Sequence, residues 1–281
     1  MASTSSQPQQ DDLKAAVFQR LHPRVYLERF IAENVRPDGR DFDAWRDVSV
    51  NVGSVSTANG SALVRLGDTT VVCGVKAELA EPELDAPNVG FLVPNLDLPA
   101  ISSPRFKPGP PTEDAQVLSD RLNEVLVSSG IIPLESLCIH PGKSVWVLYV
   151  DATCINYDGN AFDATLIAMV AALKNTKLPK ATYNEDIGRT TCSRKVMIPL
   201  QIECLPIAFS FGVFDSSRIL PDPTSFEEPL LDTTISVVID EKGQLISISQ
   251  VGTDSQDALL TCTSAARKRH AILTKQIYHS S

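Results

Sequence analysis

The residues best suited to chemistry in this 281-residue sequence fall in a few short stretches. Arg105, Phe106 and Lys107 place two cations around an aromatic ring on a Pro- and Ser-rich stretch. That pattern suits phosphate contact and base stacking. It equally suits a solvated loop or one docked on a neighbouring chain. Asp222 lies between Pro221 and Pro223, which reads as a turn or a solvated loop acid. Arg267, Lys268 and Arg269 read as the solvated face of a C-terminal helix, and Arg65 and Lys143 as ordinary exposed charges. The six cysteines form no C-x-x-C pair, and the four histidines are scattered, so the spacing supplies no zinc site. Cysteines inside apolar runs such as VVCGV and DATCI read as reduced and buried.

These residues need a scaffold, and the composition provides for one. Hydrophobic residues make up 43% and charged residues 21%, with a formal net charge of -9. The chain can bury a substantial core. Its acidity argues against wrapping nucleic acid with an all-basic surface, while leaving room for a local basic patch or a channel shared with other chains. The N-terminus lacks the apolar stretch of a secretory signal, and no window resembles a membrane span.

Residues 1–12 read as a disordered tail. Leu13, Val17, Leu21, Tyr26, Phe30 and Ile31 give a rough helical period broken at Pro23. Alternating or continuous apolar runs (VSVNVGSV, ALVRLG, TTVVCGVKAEL) then predict strands joined by tight turns. Residues 81–112 read as a long connection with two short strands at most, of the kind that is usually functional or interfacial. Thr112 is the expected N-cap of a helix, with Glu113 and Asp114 in its first turn and Ala115, Leu118, Leu122, Val125 and Leu126 on its apolar face. A strand over 143–157 leads through Asp158-Gly159-Asn160 into an almost wholly apolar helix from Ala161 to Leu173. Residues from Pro179 to about Arg194 read as a polar link. Further strands follow, including VMIPLQIE, IAFSFGVF, ILPDPT, TTISVVID and QLISISQ. A closing helix over 256–279 turns Ala258, Leu259, Ala265, Ala266 and Ile272 inward. The expected class is α+β in two lobes packed as one domain, a first lobe over 13–180 and a second over 195–281.

The turn Arg36-Pro37-Asp38-Gly39-Arg40 and the hairpin from Val52 to Lys76 (VGSVSTANGSALVRLGDTTVVCGVK) resemble the opening of RNase PH-family proteins. The resemblance runs from about residue 24 to 275. Within it, PNLDLP, SSPRFKPGPP, CIHPGKSVWVLYVD and ALKNTKLP are similar to a ring subunit of the eukaryotic RNA exosome. The resemblance implies an RNase PH-like fold, with the βα repeats of ribosomal protein S5 domain 2. It implies a six-membered ring and these partners: other RNase PH-like subunits, cap subunits with S1 and KH domains, a separate catalytic exoribonuclease, and RNA. It implies nuclear, nucleolar and cytoplasmic placement, with work in 3′-to-5′ RNA processing and decay.

Active members of that family cleave by phosphorolysis, which needs a cradle for the attacking phosphate and a pair of acids at the leaving oxygen. At the cradle this sequence has Ala161, Phe162 and Asp163 in place of hydroxyl, cation and hydroxyl. Phe162 brings no charge, and Asp163 would repel phosphate. A core helix start with Phe162 packed and Asp163 capping fits the same residues. The acid pair falls on Asp222 and Glu228, the second one methylene too long. Arg121 matches a helix arginine that faces the family's active-site groove. The expectation is a non-catalytic subunit with no cofactor and no metal, touching RNA through Arg105, Lys107 and Arg121. The alternative is an active phosphate-dependent 3′-to-5′ exoribonuclease.

Overall fold

The computed structural model describes residues 7–215, 217–253 and 256–278. Two helices open the chain, α1 (Gln7–Leu21) and α2 (Pro23–Ala32). Helix α1 thus begins inside the stretch read as a tail, and residues 1–6 lie outside the described residues. Pro23 starts α2, as proline does well at a first helical position. The strands β1 (Val48–Val52), β2 (Gly60–Leu66), β3 (Thr69–Ala80) and β4 (Phe91–Asp97) follow, then α3 (Glu113–Ser128), β5 (Cys138–His140) and β6 (Ser144–Asn156). Together these strands build one sheet in the order β1-β2-β3-β6-β4, with β5 paired to β6. All its pairs are antiparallel except β4 on β6.

Helix α4 (Ala161–Asn175) comes next. Every residue from Ala161 to Leu173 is buried, as an all-round apolar helix must be. It packs on β2, β3 and β6 from one side and on β9 (Ile207–Phe214) from the other. β9 belongs to a second, antiparallel sheet, β10-β9-β11-β12, built with β10 (Arg218–Pro221), β11 (Thr233–Ile239) and β12 (Leu245–Gly252). The last helix, α5 (Gln256–Tyr278), packs on β11 and β9. One continuous apolar cluster runs through both sheets and α4.

Three expectations need correction. The stretch from Pro179 to Arg194 is no polar link: it forms most of a two-stranded hairpin, β7 (Lys177–Asn184) with β8 (Arg189–Pro199). Its threonines suit a strand, and Gly188 at φ +63 makes the turn. Met197–Pro199 pairs within that hairpin and not with the second sheet. On α5, Ile272 is exposed and Leu273 buried, while Arg269 is half-buried against Trp45 and donates to the Arg46 carbonyl. Thr112, by contrast, caps α3 as expected, accepting from the Ala115 N–H at 3.3 Å.

The Arg36–Arg40 turn locks the second sheet to the first. Arg36 is wholly buried. Its Nε donates to Glu227 at 2.9 Å, and its Nη atoms donate to Glu227 and to the carbonyls of Pro221 and Asp222. Truncating one member of a buried ion pair leaves the other charge uncompensated. Arg36→Met should therefore lower unfolding stability by about 3–5 kcal/mol in urea titration, whereas Arg65→Met, at an exposed site, should change little.

Candidate functional site

The residues singled out for chemistry converge where β6 ends and α4 begins. Asp158-Gly159-Asn160 makes that bend. Gly159 has φ +79, and a Cβ there would lie 2.5 Å from the Ser225 nitrogen, so only glycine fits against the 223–225 loop. Asn160, at φ +52, sits on the bend and links the acids of both lobes. Its side-chain Nδ2 donates to Asp163 at 2.8 Å and to Asp222 at 2.7 Å, and its backbone N–H donates to Glu228 at 2.7 Å.

Asp222 is neither a solvated acid nor a simple turn residue. It is fully buried, in a left-handed backbone conformation at φ +50. Arg46 grips it through one edge of its guanidinium, Nε to Oδ2 at 2.8 Å and Nη2 to Oδ1 at 2.7 Å. The Arg46 N–H and Arg40 Nη1 also donate to Oδ2. Burial alone would raise the Asp222 pKa, but the Arg46, Asn160 and Arg40 partners outweigh it and hold the carboxyl below its ordinary value. Arg46 in turn donates to the Asp158 carbonyl at 2.7 Å, and Thr69 donates to the Gly159 carbonyl at 2.7 Å.

Asp163 turns from the first turn of α4 towards β9. It is buried beneath α4, accepting from the Ser210 N–H at 2.8 Å, the Ser210 hydroxyl at 2.7 Å and Asn160. It therefore pins α4 to β9. Burial pushes its carboxyl up to about 6, against the pull of these hydrogen bonds. Ala161 and Phe162 are buried too. The Phe162 ring carries the Arg121 guanidinium, 4.4 Å from its centroid.

Glu228 sits on the bend before α4. It accepts the Asn160 N–H and the Tyr157 hydroxyl. Burial raises its pKa, with those partners and Arg105 opposing. Its carboxylate is thus the acceptor of the Asn160 backbone N–H. Arg105 is half-exposed, 3.3 Å from Asp114 and 3.8 Å from Glu228. Phe106 is buried edge-on against Tyr157 at 5.1 Å, so it is closed to a stacking base. Lys107 is exposed beside it.

A divalent ion between Asp222 and Glu228 does not suit this donor set. Both Asp222 oxygens are taken by N–H donors, two of them arginines, and both Glu228 oxygens accept hydrogen bonds. Elsewhere, Cys204, Asp240 and Glu241 hold donor atoms within 4.8 Å of one another. There, Asp240 already accepts two backbone N–H groups and Glu241 accepts that of Leu205. Asn160, Tyr157, Arg40 and Arg46 are site residues that the sequence alone did not single out. The R-P-D-G-R turn itself was the available signal, since two arginines in one tight turn need acceptors.

Residues 44–179 match the model of the 3′ exoribonuclease family, domain 1, and residues 204–269 match domain 2 of the same family. This chain belongs to the RNase PH family. A 42% identical relative, the exosome complex component rrp43 of Schizosaccharomyces pombe, aligns over 90% of this chain and 94% of its own length. Exosome complex component Rrp42 of Pyrococcus furiosus is 37% identical over 81% of each chain. In three dimensions this RNase PH-like fold matches a chain of the Archaeoglobus fulgidus exosome with RNA bound to the active site. The TM-score is 0.80 at 30% identity, covering 90% of this chain and 96% of that one. A chain of an archaeal exosome core matches with a TM-score of 0.76 at 26% identity.

Asp163 gives this RNase PH-family core a pH signature. Its folded carboxyl titrates near 6, above the ordinary 3.8, so the folded state takes up the proton first. The penalty of holding it ionised is present above pH 6 and fades as pH falls towards 4. Wild type should therefore gain stability relative to Asp163→Asn between pH 7 and pH 5, read from urea midpoints. A difference that does not change with pH would contradict this titration.

Proposed function

We infer that this chain is a non-catalytic structural subunit of an RNA exosome ring, which helps to assemble the ring and guide RNA for 3′-to-5′ processing and decay. Two lines support the reading. Its relatives carry exosome component names over nearly their full length. And the place where phosphorolysis would begin is filled from within: the Glu228 carboxylate rests on the Asn160 N–H, while Phe162 and Asp163 are buried. That second observation carries the word non-catalytic. An attacking phosphate would have to displace a carboxylate and approach beside Asp158 and Asp114, against like charge.

The partners that follow are other RNase PH-like ring subunits, cap subunits with S1 and KH domains, and a separate exoribonuclease that does the cutting. Nuclear, nucleolar and cytoplasmic placement follows from that work. Among the described residues no helix is long and apolar enough to cross a membrane. Arg105, Lys107 and Arg121 are the proposed RNA contacts. Arg105 and Lys107 are exposed for it, although Asp114 holds Arg105 in part. The acidic chain needs its neighbours to supply much of a channel's positive charge. The lobes proposed for this role are 13–180 and 195–281.

The rival reading is an active phosphate-dependent exoribonuclease, and a direct assay separates the two. The purified chain, alone and with co-expressed ring neighbours, is incubated with 3′-tailed RNA, Mg²⁺ and phosphate. The expected result is a stable hetero-oligomer by native mass measurement and no nucleoside diphosphate release attributable to this chain. Release that disappears in Glu228→Gln would establish the enzyme instead. A lone monomer that refuses every RNase PH-like partner would remove the ring reading.

A further inference from the structure

Among the described residues, Asn160 Oδ1 and Arg269 Nε are buried and have no hydrogen-bond partner. Both residues line one small cavity, reached from the start of α4 and from α5. Asn160 is 4% exposed. Its amide cannot be turned round. Nδ2 faces the carboxylates of Asp163 and Asp222, which accept and do not donate when ionised, so Oδ1 is the atom turned from them. Arg269 is fixed independently. Its Nη2 donates to the Arg46 carbonyl at 3.2 Å, and its guanidinium lies 5.9 Å from the centre of the Trp45 ring, which also lines the cavity. One atom therefore lacks a donor and the other lacks an acceptor. Buried polar groups in folded proteins are paired, with other protein groups or with ordered water.

The cavity decides what can pair with these two. Its volume is about 10 Å³, about the least that holds one water molecule. Larger ligands do not fit. Charge narrows the choice further. A bare cation would face the Arg46 and Arg269 guanidiniums, and a bare anion the Asp163 and Asp222 carboxylates, all of them on the wall of the cavity. A neutral molecule that both donates and accepts meets both demands. Asp163 offers it a further acceptor, since Oδ1 takes only the Ser210 hydroxyl among the described residues. A buried water typically makes about three hydrogen bonds, and Arg269, Asn160 and Asp163 can supply that number.

We propose that this cavity is the seat of one structural water, which accepts from the Arg269 Nε–H and donates to Asn160 Oδ1, with its second proton towards Asp163. The water ties α5 to Asn160, the residue that links the acids of both lobes. The proposal does not rest on the function inferred above.

The test is a crystal structure of the full chain at a resolution that shows ordered water, with oxygen-17 relaxation dispersion of water measured in solution on the wild type and on Arg269→Met. The expected map has a single water peak within about 3.2 Å of both Asn160 Oδ1 and Arg269 Nε. Arg269→Met removes Nε and keeps an apolar stem beside Trp45. It should lower the count of long-lived waters by one per chain. A map without that peak overturns the proposal, as does a side chain rotated so that either atom pairs directly with the protein. A relaxation amplitude that Arg269→Met leaves at the wild-type value overturns it too. Should Arg269→Met fail to melt cooperatively, Arg269→Lys, which also lacks Nε and keeps the charge, takes its place in the comparison.

Discussion

The structure depends on one buried carboxylate. Asp222 has no exposed surface, and it is ionised only because Arg46, Arg40 and Asn160 all donate to it. Such a group is costly to bury alone and costly to strip of any partner. Its three partners come from the turn before β1, from β1's own approach and from the bend before α4. Satisfying one carboxylate therefore fixes the relative placement of both sheets and of the helix between them. Arg36 and Glu227 repeat the arrangement a few residues away, with the carbonyls of Pro221 and Asp222 as further acceptors. The arginine-rich turn is thus a clamp on the loop after β10.

The same logic acts at the bend before α4. A helix N-terminus leaves N–H groups without intrahelical partners, and something must accept from them. Here the chain supplies its own acceptor in Glu228, steadied by Tyr157. Asp163 turns the other way, into Ser210, so its charge serves packing between α4 and β9. The two acids of this bend thus both serve contacts within the chain.

Much of the fold could be read from residue patterns. The apolar run from Ala161 to Leu173 could only be a core helix, and Thr112 with two following acids could only be a helix start. The β7–β8 hairpin escaped because β8 is exposed over most of its length and β7 buries Leu178 alone, so neither carries the apolar alternation of a half-buried strand. Phe106 was misjudged for a related reason. Next to two cations it looks like a stacking ring, but its burial is decided by Tyr157, fifty-one residues away in sequence. The site was legible as a set of positions and not as a set of contacts. Asp222, Glu228 and Asp163 do meet around Asn160, while their partners Asn160, Arg46, Ser210 and Tyr157 are set by tertiary pairing that no local pattern encodes.

The clamp also has a history in time. Arg36 meets Glu227 across 191 residues of chain, and Arg46 meets Asp222 across 176. Chains grow at roughly 5–20 residues per second, so the arginines leave the ribosome roughly ten to forty seconds before their acids do. During that interval Arg36 and Arg46 stand without the carboxylates that later bury them, while Arg40 already has Asp38 beside it. The first sheet can pair meanwhile, since its strands are complete by Asn156. But the turn ahead of it cannot settle until synthesis is nearly finished. A chain cut short anywhere before Asp222 keeps its opening turn unlatched and its arginines exposed, which marks an incomplete product as chemically different from a finished one.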